Sequence, residues 1–372
     1  MRVQDGHRFR ADFADPKGRL LGSAWLRPDW TPAVEYSHLA GVRAGRLPFT
    51  LSPPPAVIEP VWDDELGPPH VGYLEVSFPR ADAPLAVRLP LQILREAAQE
   101  ALAPLVDGTR LKPGDPFVYQ VTAYPAPRPA TAARDALGLE VLPDPDPLAA
   151  QSMADLLAAA EPRGEAVWDP RDLPVFIAGQ VLDEAAAHAT RAGAHEAAGV
   201  LLGRLLWDPH AAALYLEVTA QVPAREALAD EASFTFTRAT WAAVEAALAL
   251  RDAGERIVGW HHSHPRAVWP CASCQCPPER RGDCPARHGF FSQKDVHLHR
   301  TVFQGAFNVA LVASFHADPL PRLDLFGWRW YGVAARGFYR VGEPDPVAGG
   351  DRTSSPGPGT VPKTGREAGG QS

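Results

Sequence analysis

The spacing of apolar and polar positions is most regular between about residues 173 and 341. "VLDEAAAHATRAGA" and "TRATWAAVEAALALRDAG" have helical spacing, the second with Thr237 as N-cap and Gly254 as its stop. The runs "EAAGVLLGRLLW", "ALYLEVTAQV", "RIVGWHHSH" and "FNVALVASF" predict strands, "SQKDVHLHRTVF" predicts a helix, and "LDLFGWRWYGV" and "GFYRV" predict late strands. Helices that alternate with strands in this way predict a layered α/β domain.

A second patterned unit precedes this domain. "GYLEVSF", "LAVRL" and "PFVYQVTAY" predict strands and "LQILREAAQEALAPL" a helix, which indicates a separate N-terminal α+β region over residues 1–124 whose role the sequence does not reveal. Residues 125–172 are rich in Pro and Ala and predict a linker with a short helix, "LAAQSMADLLAAA". The apolar-poor tail over 342–372 is predicted to be disordered.

Composition narrows the possible partners. The chain is 46% hydrophobic, so it can bury a substantial core, and its net charge is −8 with no long basic run, which argues against nucleic acid. The first residues are charged, and no apolar run approaches the roughly 20 residues that span a membrane. Four clustered cysteines without a secretion signal indicate metal binding and not disulfides. We therefore expect a cytoplasmic protein without a membrane partner.

Candidate chemistry lies in residues 259–300, which hold six of the thirteen histidines and all four cysteines. His262 and His264 lie two apart at the end of a predicted strand, so both imidazoles share one face and can chelate one ion. Ser292 and Asp295, three apart at the start of the next helix, also share a face. Two imidazoles and one carboxylate leave the open fourth position that catalytic zinc requires.

A proton acceptor is still needed, and none is evident in that segment. Upstream, Glu196 opens "EAAGVLLG", where the small residues Gly199 and Gly203 allow neighbouring backbone to approach closely.

These pieces resemble the JAMM (JAB/MPN+) zinc metalloproteases of the prokaryotic JAB type, whose signature is a glutamate, His-x-His-Pro and Ser-x-x-Asp. The resemblance covers about residues 173–341. It implies a layered, cytidine-deaminase-like fold with a central mixed sheet flanked by helices. It also implies that His262, His264 and Asp295 hold the catalytic zinc, that Glu196 is general base and then proton donor, and that Ser292 stabilises the oxyanion.

The activity implied by this resemblance is hydrolysis of a peptide or isopeptide bond at the C-terminal tail of a ubiquitin-like protein or its conjugates, with E1/E2-like enzymes as further partners. A same-family peptidase that processes a sulfur-carrier or small-substrate conjugate stays open, as does an inactive MPN scaffold, although such scaffolds lose the metal ligands. An N-terminal conjugating enzyme is disfavoured because residues 1–270 contain no cysteine for thioester transfer.

One departure from the family is the long segment between the second histidine and the aspartate. About ten residues are usual there, whereas this chain has thirty, with a Cys-rich insertion at 266–288. The spacing of its cysteines predicts a second, structural zinc, with reduced or redox-active thiols as the alternative; the ligands would be Cys271, Cys274, Cys276 and Cys284. We expect this insertion to shape the substrate channel.

The remaining histidines of the segment are ambiguous. His288 can replace one cysteine, and His297 occupies a position that binds structural zinc in some family members. His299 lies one helical turn after Asp295, where it either supports a ligand or lies, like His297, on a solvated face. His261 should point away from the metal by strand alternation.

A nucleobase deaminase is the rival from another enzyme class. "PCASC" fits half of its zinc signature, but no histidine has a glutamate two positions later.

Overall fold

The computed structural model describes residues 3–63, 70–79, 85–106, 116–126, 146–164, 169–224, 236–264, 290–315, 320–329 and 332–342. The helices are α1 (Thr31–Arg43), α2 (Arg95–Val106), α3 (Ala154–Ala158), α4 (Gly179–Ala192), α5 (Arg238–Arg251) and α6 (Gln293–Val302), with a 3-10 turn over Leu91–Leu94 before α2. The strands are β1 (Val3–Asp5), β2 (His7–Ala14), β3 (Leu20–Trp25), β4 (Ala56–Asp63), β5 (His70–Ser77), β6 (Ala86–Pro90), β7 (Val118–Pro125), β8 (Ala149–Ala150), β9 (Ala160–Arg163), β10 (Val175–Ala178), β11 (Ala198–Asp208), β12 (Ala213–Pro223), β13 (Arg256–His264), β14 (Val309–Ser314), β15 (Arg322–Arg329), β16 (Gly332–Arg336) and β17 (Phe338–Val341).

A large, curled mixed sheet dominates the C-terminal half. Its strands run in the order β16-β15-β14-β13-β11-β12-β10-β17-β9, and β8 pairs with β11. β13 and β14 are parallel, whereas β11 is antiparallel to β13 and to β12. The N-terminal half carries two small sheets, β1-β4-β5-β6 and β3-β2-β7. The predicted mixed α/β architecture of the C-terminal half is therefore confirmed.

The central strands read as continuous apolar runs because both faces of this sheet are buried. On one face Val200, Trp260 and Phe326 pack with side chains of α5 and α6. On the other face Leu201 and Val258 pack with α4. Side chains of these strands mostly alternate between the two interiors, and a register shift between β11 and β13 places Val258 and Trp260 on opposite faces although they lie two residues apart. The face of Trp260 is also the face of His262 and His264.

Two glycines of β11 permit close approach of neighbouring groups. A Cβ at Gly203 would lie 2.0 Å from the Glu217 carbonyl oxygen, and one at Gly199 would lie 2.2 Å from His261 Nε2. A larger side chain would not fit at either position. The expectation that small residues allow close approach here is therefore confirmed.

The N-terminal region has its own core, built around Phe9, Ile58 and Leu74. This region also contacts the C-terminal half. Leu39 and Val42 of α1 and the following Phe49 belong to the same buried cluster as the central sheet of the C-terminal half, and Phe49 contacts Phe307 edge-on at 5.8 Å between ring centroids. Contacts between residues this distant in the chain leave no periodic signal in the sequence.

Part of the predicted linker also joins the large sheet. Ala149 and Ala150 pair with β11, and the N–H of Met153 donates to Asp208 at 2.9 Å, so the predicted helix over 148–160 shortens to Ala154–Ala158. Residues 127–145 and those after 342 lie outside the described residues. The helix α5 begins at its predicted N-cap, Thr237. It ends two residues before the predicted stop, Gly254, because Asp252 already has a left-handed backbone conformation. Across the described ranges no helix is long and apolar enough to span a membrane.

Candidate metal centre

The two histidines of the motif meet at the end of β13. His262 and His264 are almost fully buried, with 1% and 4% of their surface exposed. Both side chains project from the same face of the strand, and their Nε2 atoms lie 3.1 Å apart. The strand alternation that the sequence predicts therefore brings two imidazole nitrogens to one point.

Asp295 approaches this pair from α6. Its carboxylate oxygens lie 3.4 Å from His262 Nε2 and 3.6 Å from His264 Nε2. A capping box fixes the start of the helix: the Ser292 N–H donates to Asp295 Oδ2 at 2.7 Å, and the Asp295 N–H donates to Ser292 Oγ at 3.2 Å. The helix N-terminus thus holds the carboxylate at the histidines. Within the described part of the chain, these three side chains form the one group of three or more donors whose ligand atoms lie close enough together to hold an ion.

The spacing of the three donors fits zinc. Ligands about 2.0–2.1 Å from a tetrahedral ion lie about 3.3 Å from one another, since a tetrahedron's edge is about 1.6 times its centre-to-corner length. The observed separations of 3.1, 3.4 and 3.6 Å are close to that edge. Two nitrogens and one oxygen are also a donor set that zinc accepts while keeping a fourth position open. The residues present therefore fit the metal.

The charge states of the donors also suit a cation. Burial lowers the pKa of His264, and the adjacent Asp295 opposes this only in part, so the imidazole is neutral near pH 7. Burial by itself would raise the pKa of Asp295, but the adjacent imidazoles of His262 and His264 and the hydrogen bond from the Ser292 N–H outweigh it, and the pKa lies well below its usual value. A neutral imidazole and an ionised carboxylate are the forms that bind metal.

Glu196 precedes β11 and lies beside the histidine strand. Ala198 pairs with His262, and the Ser263 N–H donates to the Ala197 carbonyl at 2.9 Å. Extended by two residues beyond the Ala198–His262 pair, the same antiparallel register would set Glu196 opposite His264. Directly opposed residues of antiparallel strands share a sheet face, so the extended register predicts that Glu196 faces the same side as both histidines.

Aromatic rings surround the donors. Trp260 stacks on His262 with 4.6 Å between ring centroids, and Phe290 stacks on His264 at 4.2 Å. Phe291 stacks in turn on Phe326 at 4.9 Å. This apolar wall lowers the local dielectric around the donors and strengthens electrostatic interactions there.

The other histidines separate into three groups. His261 points away from the donors, as predicted, and its ring meets Gln221 Oε1 at 3.1 Å on the opposite face. His297 is exposed, whereas His299 is fully buried and accepts a hydrogen bond from Trp260, so the solvated-face interpretation is wrong for His299. His288 and the predicted second zinc ligands, Cys271, Cys274, Cys276 and Cys284, lie outside the described residues.

Sequence reasoning missed a polar row beside the histidines. Ser314 of β14 pairs with His264, and Asp324 of β15 lies two strands from His262 through Val312. Ser314 Oγ and Asp324 Oδ2 are both buried, and neither has a hydrogen-bond partner among the described residues. Arg322 donates to the other oxygen of Asp324 at 2.9 Å. The sequence signal that could have indicated these residues is the presence of polar side chains within otherwise apolar strands.

Comparison with known proteins gives one family match. Residues 179–269 match the model described as prokaryotic homologs of the JAB domain, a range that includes Glu196, His262 and His264. Among solved structures, the solution structure of protein DSY2949 from Desulfitobacterium hafniense is similar, with 22% identity, 44% of this chain and 89% of that chain covered, and a TM-score of 0.27. A likeness at that TM-score has no functional implication. No curated protein matches the chain.

Proposed function

We propose, from the premise that residues 179–269 form a prokaryotic JAB domain, that this chain is a zinc-dependent isopeptidase or peptidase. Its substrate would be the C-terminal tail of a ubiquitin-like protein, in a precursor or a conjugate, and its setting the cytoplasm. The observation that carries the proposal is the convergence of His262, His264 and Asp295 at separations that suit one ion.

The three metal donors and Glu196 would have different roles in hydrolysis. His262, His264 and Asp295 would hold the zinc, which when bound supplies Lewis-acid activation of a water and of the scissile carbonyl. Glu196, on the same sheet face, would accept the proton of the attacking water and return it to the departing amine, so that it ends the cycle ionised. The pairing of Ala198 with His262, two residues from Glu196, supports this role.

Ser292 would assist at the carbonyl oxygen. Its Oγ accepts a hydrogen bond from the Asp295 N–H, and this bond does not use the hydroxyl proton. That proton can be donated to the oxygen on which negative charge develops during attack. Removing one such donor typically costs about 10²–10³ in kcat, so Ser292→Ala should lower turnover without loss of zinc.

The decisive experiment compares Glu196→Gln with the wild type on an isopeptide substrate, a peptide ending in Gly-Gly joined to a lysine ε-amine. We expect hydrolysis to fall by about 10²–10⁴ while bound zinc is unchanged, because the glutamate is a base and not a ligand. Glu59→Gln, an exposed carboxylate of β4, is the matched control and should leave activity intact. Equal rates for Glu196→Gln and wild type would refute the mechanism, and wild-type protein without zinc would refute the proposal.

The same variant separates the candidate substrates. Purified with its cellular partners, Glu196→Gln should retain uncleaved substrate, so that mass spectrometry of the retained material distinguishes a deconjugating enzyme from a sulfur-carrier processing peptidase. An inactive scaffold predicts that no bond is cleaved by the wild type in any of these assays.

The structural zinc in the Cys-rich insertion is also part of the proposal. It rests on the spacing of Cys271, Cys274, Cys276 and Cys284 and on the polarity of their loop. Zinc content should fall by about one equivalent per chain when Cys271 and Cys274 become Ser. Unchanged zinc in that double variant would refute this second site.

A further inference from the structure

We propose that His299 and Trp260 form a positioning pair, which holds the imidazole of His262 in the orientation that metal binding needs. The inference rests on the proposed function, because it concerns the same ion. Neither residue is a ligand of the ion or a contact of the substrate; both act through His262.

The first link is a ring stack within β13. Trp260 and His262 are two residues apart and therefore project from the same face. Their rings are nearly parallel, at 18° and 4.6 Å between centroids. Contact along a whole ring face restricts the rotation of the imidazole about its χ angles, so the place of the indole sets the direction in which His262 Nε2 points.

The second link fixes the indole. Trp260 Nε1–H donates to His299 Nδ1 at 3.1 Å, and both residues are fully buried. A buried indole N–H needs an acceptor, and a bond of this length supplies one. Because Nδ1 is the acceptor, the ring proton of His299 is on Nε2. Burial lowers the pKa of His299 to about 3, which is consistent with this neutral form.

His299 is itself held by three aromatic neighbours. Its centroid lies 5.6 Å from Trp328, 6.0 Å from Phe291 and 6.4 Å from Phe303. These rings come from β15, from the residues before α6 and from the end of α6. The position of His299 Nδ1 is therefore set by these three ring contacts as well as by the hydrogen bond from the indole.

The arrangement couples two ligands of the ion. Asp295 and His299 lie one turn apart on α6. The same helix thus supplies one ligand directly and orients a second ligand, His262, through the indole. A displacement of α6 would disturb both ligands together, whereas an ordinary core contact at Trp260 would affect stability alone.

The test measures zinc affinity of the full chain by competition with a chromophoric chelator, and the visible spectrum of the cobalt-substituted protein. His299→Leu removes the acceptor and should weaken zinc binding by about tenfold or more, with shifted cobalt bands, as loss of outer-shell partners typically does. His299→Gln offers an amide oxygen to the indole and should restore affinity and spectrum. His38→Leu is the matched control, since His38 is also a buried, hydrogen-bonded histidine but lies in α1.

Wild-type affinity and an unchanged cobalt spectrum in His299→Leu would overturn the positioning role. If that variant does not fold, Trp260→Phe decides, because it keeps an aromatic ring that can stack but loses the N–H. Zinc binding equal to the wild type would then overturn the role. A wild-type protein that binds no zinc would refute the proposed function first, which distinguishes the two failures.

Discussion

The hydroxyl of Ser263 accepts a hydrogen bond from the backbone N–H of Ala197 at 2.9 Å, while the Ser263 N–H donates to the Ala197 carbonyl at 2.9 Å. Ser263 lies between the two metal-site histidines, and Ala197 follows Glu196. This pair of bonds therefore sets the distance between the proposed base and the proposed ligands.

Ser263→Ala should impair both stability and turnover. The Ala197 N–H would remain buried without its acceptor, which costs about 1–3 kcal/mol in the free energy of unfolding. Turnover should fall more than zinc affinity, because Glu196 loses its anchor and both histidines remain. Urea unfolding, turnover and zinc titration measure the three effects. Ser263→Thr keeps the hydroxyl and should behave like the wild type; full turnover in Ser263→Ala would contradict this role.

Two substitutions at Asp295 should separate its roles as ligand and as cap. Asp295→Asn keeps an oxygen for the Ser292 N–H but loses the charge, so zinc binding should fall sharply while the metal-free protein keeps its capping hydrogen bonds. Asp295→Ala loses both functions, and its metal-free form should be less stable by a further ~1 kcal/mol. Thermal unfolding in chelator, with zinc analysis, provides the comparison. Equal melting temperatures for the two metal-free variants would show that the capping box adds no stability.

Gly199→Ala should destabilise the sheet beneath the site. The added Cβ would lie 2.2 Å from His261 Nε2 and 2.8 Å from the Val222 carbonyl oxygen, so either the ring or the strand must move. Overpacking of this kind costs about 1–3 kcal/mol or more in the free energy of unfolding, measured in urea. Gly6→Ala is the control, because no atom lies within 4 Å of its added Cβ. Equal stability of the two variants would contradict the close packing at Gly199.

Glu35 of α1 should make stability depend on pH. Burial raises its pKa to about 7 from an ordinary value of 4.5, and a hydrogen bond from the Ala306 N–H opposes this only partly. Between these two values the folded state binds more protons than the unfolded state. Stability should therefore fall as pH rises from about 4.5 to about 7, by at most about 3 kcal/mol.

Glu35→Gln removes this titration. The variant should unfold at higher urea concentration than the wild type at pH 8 and at a similar concentration near pH 4.5, with metal-free protein used throughout. Glu59→Gln, on an exposed face, should show the wild-type profile. A wild-type profile for Glu35→Gln would show that Glu35 does not cause the pH dependence.

Local signals made much of the site predictable. The strand of His262 and His264 follows from alternation, and the helix after Ser292 follows from helical spacing, both of which depend only on neighbouring residues. The structure has both elements within a residue of the predicted bounds. The approach of Asp295 to the histidines was expected from the family resemblance and could not be derived from periodicity.

Features that depend on distant contacts could not be predicted. The pairing of β10 with β17 joins residues more than 160 positions apart. His299 could be placed on a helix but not on its buried side, because the orientation of α6 depends on packing against Trp260 and Trp328. For Ser314 and Asp324 the strands could be predicted, but the sheet face on which each side chain lies could not, because that face also depends on distant packing.

The helix α1 has a consequence for how this protein can be divided. Leu39 and Val42, together with Phe49, fill the same interior as Leu216 and Val309 of the large sheet. A truncated chain that began at residue 173 would lack these side chains and expose apolar residues of the large sheet to water. A recombinant C-terminal half intended to stay folded and soluble should therefore include α1 and Phe49.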